Sequence, residues 1–564
     1  MFEILGLSGA SSLALVGRLV LYSLLPALCY GFYNLYINRM MFRRIQKEHG
    51  TAMLPHSFLF GHLWIIAKVG IKYKMPPDTH GQCVPLLLAL EYPEIAGKGA
   101  VYMDTWPMYS PMLAVYHPDM MAQFTQDASQ EKHWRMLEEF KPFTDNMDLV
   151  TSGGQVWKTD RNMFNPGFST RNLMSLIPHF VEEVVIFRDK LLEKADTNEK
   201  ISLEEYTTNA TVDIICRAVF GQRVQAQTRE VPFITAMLKQ VPHLTPHPGT
   251  KMFNPFRPYL SAYWKAKFRE GVMPIIQDAI KNYEKHEGPK TILNLAVRSY
   301  VNEVQDYSAR GNIPPEFAEM VVNHTKMFLF AGHDTTATTL CYAYMFLHRN
   351  PDKLAKLRAE LDEVLGPDPA AAPARISADP SLLNQLPYTL AVVKETLRIN
   401  PPVGTVRTGA PGFSLTHPET GERFPCGGLA IFGCSKAAHL HPDYWPEPQR
   451  FLPERFMTTA AATARGGGEE EEADPLLHPR RNAFRPWEMG PRNCIGQELA
   501  SLELRLVLAL TAREVDVELA YAPGAPTFMG EVAYQVETPE HVTSHPKDGL
   551  PVRIRSRKHH ATSS

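Results

Sequence analysis

The alternation of apolar and polar positions divides the chain into a hydrophobic leader and a long mixed body. From Leu19 to Ile37 the sequence is almost uninterruptedly apolar, carries no charge and gains aromatics towards its end. These 19 residues come close to the roughly 20 that cross a bilayer. Arg39, Arg43, Arg44 and Lys47 follow the run, whereas only Arg18 precedes it within the same reach. A cleaved signal peptide carries its charge before the apolar run, not after it. The positive-inside rule therefore predicts one uncleaved N-terminal transmembrane helix, with residues 1–50 as anchor and basic linker and the bulk of the chain in the cytosol. The competing reading is a buried N-terminal helix of a soluble domain.

Beyond it, Pro55 and the segment Leu59 to Leu63 break any helix and set the angle at which the body begins. Short β-rich runs follow, Ala100–Met103 and Met112–Tyr116. Helical periodicity dominates from Asp119 to Pro351, interrupted near Pro242–Pro258, and strands and loops return between 403 and 438. The longest helical pattern runs from Glu316 to Asn350, with Pro314 and Pro315 at its start and Pro351 at its end. At 1.5 Å per residue it spans about 50 Å, enough to cross a whole domain. Two further helices are expected, one between Pro387 and Pro401 and one from Ile495 to Arg513. The pattern predicts a mainly α fold with a smaller β-rich region over residues 51–557. Pro367–Pro373 and the acidic, Gly-rich stretch Thr458–Asp474 read as disordered, the second as a surface insertion. Residues 558–564 read as a frayed tail.

Composition narrows the function classes. Charges nearly cancel at −2 and 44% of residues are hydrophobic, so nothing points to nucleic acid. The seven cysteines are scattered and never form CxxC, which argues against a disulfide framework or a cysteine zinc site and suits a reducing compartment.

One cysteine stands apart. Cys494 follows a Gly/Pro-rich loop beginning at Trp487 and opens the Ile495–Arg513 helical pattern. Most cysteines are small buried hydrophobes, but here the surroundings suit chemistry. A helix start carries about half a positive charge and unpaired N–H groups, which favour thiolate over thiol. Arg492 adds a permanent cation, and Gly490 and Gly496 let backbone approach a flat ligand. A thiolate beneath a planar, carboxylate-bearing cofactor is how a haem-thiolate site is built. Within the longest helix stands Ala331-Gly332-His333-Asp334-Thr335-Thr336, a helix-weakening stretch that suits either a groove over a cofactor or an ordinary solvated face. Glu395 and Arg398 lie three apart on one helical face, as do Trp157 and Arg161 one turn apart. Singly, such pairs carry little information.

Together these segments resemble the cytochrome P-450 superfamily, with Trp487 where the family usually has Phe. The resemblance spans nearly the whole chain and implies the P-450 fold and a haem whose iron is held by the Cys494 thiolate. It implies that Thr335 handles dioxygen through its hydroxyl and that Asp334 takes part in proton delivery. It groups Glu395 and Arg398 with Arg455, from Phe451–Phe456, in a buried cluster on the thiolate side. For the haem propionates it offers Arg161, Arg492, Trp157 and Arg407. The implied activity is a monooxygenase of the endoplasmic-reticulum membrane that takes electrons from an NADPH–haemoprotein reductase. It would insert one oxygen atom from O2 into a lipophilic small molecule, by hydroxylation or by desaturation or epoxidation. General likeness points to fungal secondary metabolism of polyketides or terpenoids. Substrate contacts are expected from Phe140–Val150, Phe330, Ala331, Val403–Val406 and Phe528–Val532, and reductase contacts from Lys158, Arg480, Arg481 and Arg485. The alternatives are a haem-thiolate isomerase or dehydratase that acts on peroxides without a reductase, and a general xenobiotic or fatty-acid hydroxylase. The intact Asp334-Thr335 pair weighs against the former.

Overall fold

A computed structural model describes residues 9–244, 254–282, 290–303, 314–457, 480–538 and 541–557, with side chains from Tyr22 onward. The organising element is the helix Pro315–Arg349, 35 residues long and within a residue of the predicted limits at each end. From Val321 to Leu347 nearly every side chain is buried, as expected of a helix that is apolar all round. The helix Leu203–Phe220 packs along it. Gly332 permits that approach, because a Cβ there would stand 2.9 Å from Ile215 Cγ1. Pro351 does more than stop the long helix: it is the first residue of the next one, Pro351–Leu365.

The β-rich region is a four-stranded sheet in the order Ala100–Met103, Met112–Val115, Ala430–Gly433, Thr405–Thr408. The outer pairs are antiparallel and the central pair parallel. The last strand carries Arg407 to an isolated bridge with Lys132. A second sheet, in the order Lys200–Ser202, Pro551–Ser556, Val515–Leu519, has no forerunner in the sequence reading. Near it, Gln535–Val536 pairs with His545–Pro546 and presents His545 to the core.

Two expectations fail. The N-terminal segment is helical, Gly9–His49, yet no helix among the described residues is long and apolar enough to cross a membrane. The stretch Leu19–Ile37 holds four tyrosines together with Ser23, Pro26 and Asn34, which dilute its hydropathy. Its first flanking cation is not a juxtamembrane charge either. Arg39 is fully buried, paired with Asp104 and donating to the carbonyls of Phe58, Leu59 and Trp106 at 3.0–3.1 Å. The helix end is thus docked into the body, and the predicted single-pass transmembrane anchor is withdrawn. Pro367–Pro373 is ordered as well. A turn at Pro369–Ala371, capped by the Asp368 carboxylate on the Ala370 N–H, leads into the helix Ala372–Ala378, whose Ala372 and Ile376 are buried. Alanine supplied helix propensity where proline had suggested disorder. The expected insertion 458–474 and tail 558–564 lie outside the described residues.

Candidate active site

The Cys494 loop is held from three sides. The Cys494 N–H donates to the Trp487 carbonyl at 2.9 Å, and the Asn493 N–H to the Gly490 carbonyl at 3.1 Å. Gly490 has φ +91°, and a Cβ there would collide with the backbone of Thr125. Its freedom therefore serves packing against the segment Gln123–Asp127, not access to a ligand. Gly496 is open: a Cβ there would meet only Cys494 Sγ, at 3.9 Å. Arg485, fully buried, ties the loop base to the Thr125 hydroxyl at 2.6 Å and to Glu488. Arg161 donates to the Asn493 carbonyl at 2.8 Å and to its side-chain oxygen at 3.0 Å, one residue from the sulfur.

The sulfur opens onto a cavity lined largely by apolar side chains. Burial raises the Cys494 thiol pKa above its ordinary value, against the downward pull of the Gly496 and Gln497 N–H groups and Arg161. The helix start was expected to favour thiolate, but burial wins. A metal ion bound to the sulfur would deprotonate it outright. Trp487 lines the cavity beside the sulfur. Across from it the long helix contributes Ala331, Gly332 and Thr335.

One end of this cavity is strongly cationic. Arg492 lies 4.9 Å over the ring of Trp157, and both line the wall with Arg161 and Lys132. Arg407 stands behind them, 1% exposed, with Nε and Nη1 lacking any partner among the described residues. Burial first, then the nearby Arg492 cation, pushes Arg407 down to about 10. Burial with Arg407 and Arg492 likewise drives Lys132 well below the usual lysine range. Such a convergence of underpaired buried cations calls for a ligand anion. A planar group bearing two carboxylates, with its metal over Cys494, fits these residues. Lys132 escaped the sequence reading because no local motif marks it; only its bridge to Arg407 brings it to the site.

On the long helix, the Thr335 hydroxyl faces the cavity wall and bonds the Ala331 carbonyl at 2.9 Å. Asp334 faces the other way. Its carboxylate, 3% exposed, lies 3.2 Å from both His541 Nδ1 and His545 Nε2 and accepts from the Thr543 hydroxyl at 2.7 Å. Burial opposes its ionisation, but the two histidines outweigh that and hold Asp334 well below the usual carboxylate range. A second acid, Glu503, lines the cavity from the Gln497–Thr511 helix. It is 2% exposed, its Oε1 has no partner among the described residues, and burial lifts its pKa well above the usual range. It lies nine residues past Cys494 inside an apolar helical pattern, and that break in the pattern was the signal available in the sequence.

The cytochrome P450 family model matches residues 94–538. The chain belongs to the cytochrome P450 family. It is 34% identical over 534 residues to cytochrome P450 monooxygenase polC of Polytolypa hystricis, covering 93% of this chain and 92% of the relative. Similarity to cytochrome P450 monooxygenase acrF of Aspergillus aculeatus is also 34% over 516 residues, covering 86% and 100%. Among solved structures, the cytochrome P450DA heme domain superposes with a TM-score of 0.68 at 20% identity, over 90% of this chain and 98% of that one. This P450 is therefore a haem-thiolate monooxygenase, mainly helical with a small sheet region, and Cys494 is the cysteine its cavity presents for the axial position.

The Glu–Arg–Arg cluster forms as expected. Arg398 grips Glu395 with two bonds at 2.7 and 2.8 Å, Arg455 approaches at 3.4 Å, and all three are buried. Other expected contacts do not assemble. Of the substrate segments, Leu149, Val150 and Ala331 reach this cavity, whereas Phe528 borders a separate pocket with Cys83 and Lys436. Phe330 turns instead to the ring of Phe143, edge to face at 5.5 Å. Arg485 is excluded as a reductase contact by its burial, while Lys158 and Arg481 are exposed and Arg480 is paired with Asp119 and Glu419.

Proposed function

We propose that this P450 inserts one atom of dioxygen into a lipophilic small molecule, by hydroxylation, in the secondary metabolism of a fungus, with electrons from an NADPH–haemoprotein reductase. The observation that carries the reading is the cavity bounded by the Cys494 sulfur on one side and by Ala331, Gly332 and Thr335 on the other. Relatives from Polytolypa hystricis and Aspergillus aculeatus, both described as P450 monooxygenases, support the metabolic setting.

Haem bound here supplies the redox and oxygen chemistry. The chain's residues supply position and protons. In this reading Cys494 binds the iron, and Arg161 fixes the loop that aims the sulfur. Arg492, Arg407 and Lys132 would neutralise the haem's carboxylates at the cationic end, with Trp157 beneath Arg492. The Thr335 hydroxyl, bonded to its own helix at Ala331, keeps lone pairs towards the cavity and can accept or relay a proton there. Asp334 anchors the helical turn that carries Thr335, because its carboxylate is engaged on the far side by His541, Thr543 and His545. Leu149, Val150 and Met327 keep the cavity apolar and water-poor.

The test is twofold. Reduced protein with carbon monoxide is expected to give the red-shifted Soret band of thiolate ligation, absent in Cys494→Ser. With reductase present, NADPH-dependent oxygen uptake should match the oxygenated product formed from the intermediate that accumulates in a deletion strain. Turnover of a peroxide substrate without reductase would overturn the monooxygenase reading.

A further inference from the structure

Behind the long helix, away from the Cys494 cavity, lies a cluster that oxygen chemistry does not account for. Glu204 comes from the first turn of Leu203–Phe220, and His541 and His545 from the segment that ends in the strand His545–Pro546. One potential ligand atom from each lies within 4.8 Å of the other two. The two imidazoles stack with centroids 3.5 Å apart and 27° between planes, and a nitrogen of each reaches the same Asp334 oxygen. His545 is fixed by contact with Glu204 and, at 3.1 Å, with the Thr338 hydroxyl. Asp334 Oδ1 stands 3.2 Å from a nitrogen of each imidazole, and Thr543 orients that carboxylate through Oδ2 at 2.7 Å.

From this arrangement we propose that Glu204, His541 and His545 form a binding site for a divalent transition-metal ion of the zinc class, with Asp334 as fourth donor or orienting carboxylate. Two imidazole nitrogens with one or two carboxylate oxygens are a donor set that zinc accepts in tetrahedral geometry, and that magnesium and calcium, which prefer all-oxygen shells, do not. A carboxylate bonded to a metal-bound histidine is the usual means of fixing its ring. The donors also come from three separate parts of the chain. A bound ion would clamp the C-terminal segment to the helix Leu203–Phe220 and, through Asp334, to the turn that carries Thr335. The site is therefore a stabilising clamp, distinct from the haem cavity.

The experiment uses full-length, untagged, haem-loaded protein, freed of metals with a chelator and titrated with ZnCl2 in a calorimeter. Zinc-edge X-ray absorption on the loaded sample reads the ligands. One equivalent of zinc is expected, with a nitrogen/oxygen shell containing two imidazoles. Because His541 sits at the rim, with 29% of its side chain exposed, His541→Ala should keep the carbon-monoxide spectrum of the wild type while weakening binding by about tenfold or more. Glu204→Gln, which preserves shape, should do the same. Absence of zinc binding by the wild type overturns the proposal, as does an affinity unchanged in both variants or a shell containing sulfur.

Discussion

His439 Nε2 accepts the backbone N–H of Arg485 at 2.9 Å, deep under the cysteine loop. Its Nδ1 donates to the Arg398 carbonyl at 3.0 Å, so one imidazole couples the loop base to the Glu–Arg–Arg cluster. The Arg485 N–H can only donate, which fixes His439 as the neutral Nδ1–H tautomer. Burial first, then the Arg398 cation, pushes His439 down to about 3. The unfolded chain takes up this proton near pH ~6.5 while the folded chain refuses it. Stability is therefore lost as pH falls below that value, by about 1.4 kcal/mol per pH unit at this site. His62, pushed down to about 4 chiefly by burial, acts with the same sign. Comparing wild type with His439→Gln cancels the other sites. Thermal midpoints between pH 8 and 5 should fall less steeply in the variant; parallel slopes would refute the assignment.

The cluster on the other side of that histidine sets a second expectation. Glu395 accepts two bonds from Arg398, one contact from Arg455 and the Leu452 N–H at 2.8 Å, all out of water. Glu395→Ala removes the anion shared by two adjacent guanidiniums, at a cost of roughly 3–5 kcal/mol. Arg398 also holds the carbonyls of His439 and Pro448 at 2.8 and 2.7 Å, so the damage should spread towards the cysteine loop. The haem-to-protein ratio of the purified variant should drop severely, with Glu395→Gln intermediate. A full complement of haem in Glu395→Ala would separate the cluster from cofactor binding.

What could be read in the sequence was what spacing along one element determines. Cys494, Gly496 and the helix after them lie within one turn and loop, so local offsets specify their geometry. The limits of Pro315–Arg349 follow from prolines at both ends, and Arg398 reaches Glu395 because three residues make nearly one helical turn. Direction across elements was not readable. Asp334 and Thr335 are neighbours, yet 100° of helix rotation sends one to His541 and His545 and the other to the cavity. Lys132 reaches Arg407 through a bridge between segments some 275 residues apart in the chain, and no periodicity announces that pairing. For the N-terminal helix, absence of charge is not a sufficient signal: no helix among the described residues is long and apolar enough to cross a membrane.

Lys132 and Arg407 should reveal themselves through cofactor retention. Arg407 is buried and Lys132 partly buried, each held near other cations, which is unfavourable until an anion arrives. Replacing Arg407 by Leu should leave the haem-free protein as stable as the wild type or more so, while speeding haem loss to a scavenging apoprotein by about tenfold or more, the worth of one charge-assisted hydrogen bond. Lys132→Met should act in the same direction. A variant that loses stability without losing haem faster would place the propionates elsewhere.

Thr335→Ala removes the hydroxyl on the cavity wall without disturbing the packing of Gly332 against Ile215. Haem content and the carbon-monoxide spectrum should stay at wild-type levels. NADPH consumption should persist while more of it ends as hydrogen peroxide, measured as the ratio of peroxide to product. Unchanged coupling would mean that another group manages the proton.

Glu503 is the candidate for that other group. Burial shifts its carboxyl towards the protonated form, beside the cavity and with Oε1 unpartnered among the described residues. An acid raised in the folded state contributes stability below its unfolded value near pH ~4.3 and loses it as pH climbs towards the folded value. Glu503→Gln keeps the shape and removes the titration, so at pH 7 the variant should be at least as stable as wild type and hold as much haem. If the proton on Glu503 serves the reaction, product formation should nevertheless fall by about 10²-fold, the scale of a lost general acid, and the solvent isotope effect on turnover should change. Full activity in a stable, haem-replete Glu503→Gln would leave the acid a packing residue and return proton supply to Thr335 and bound water.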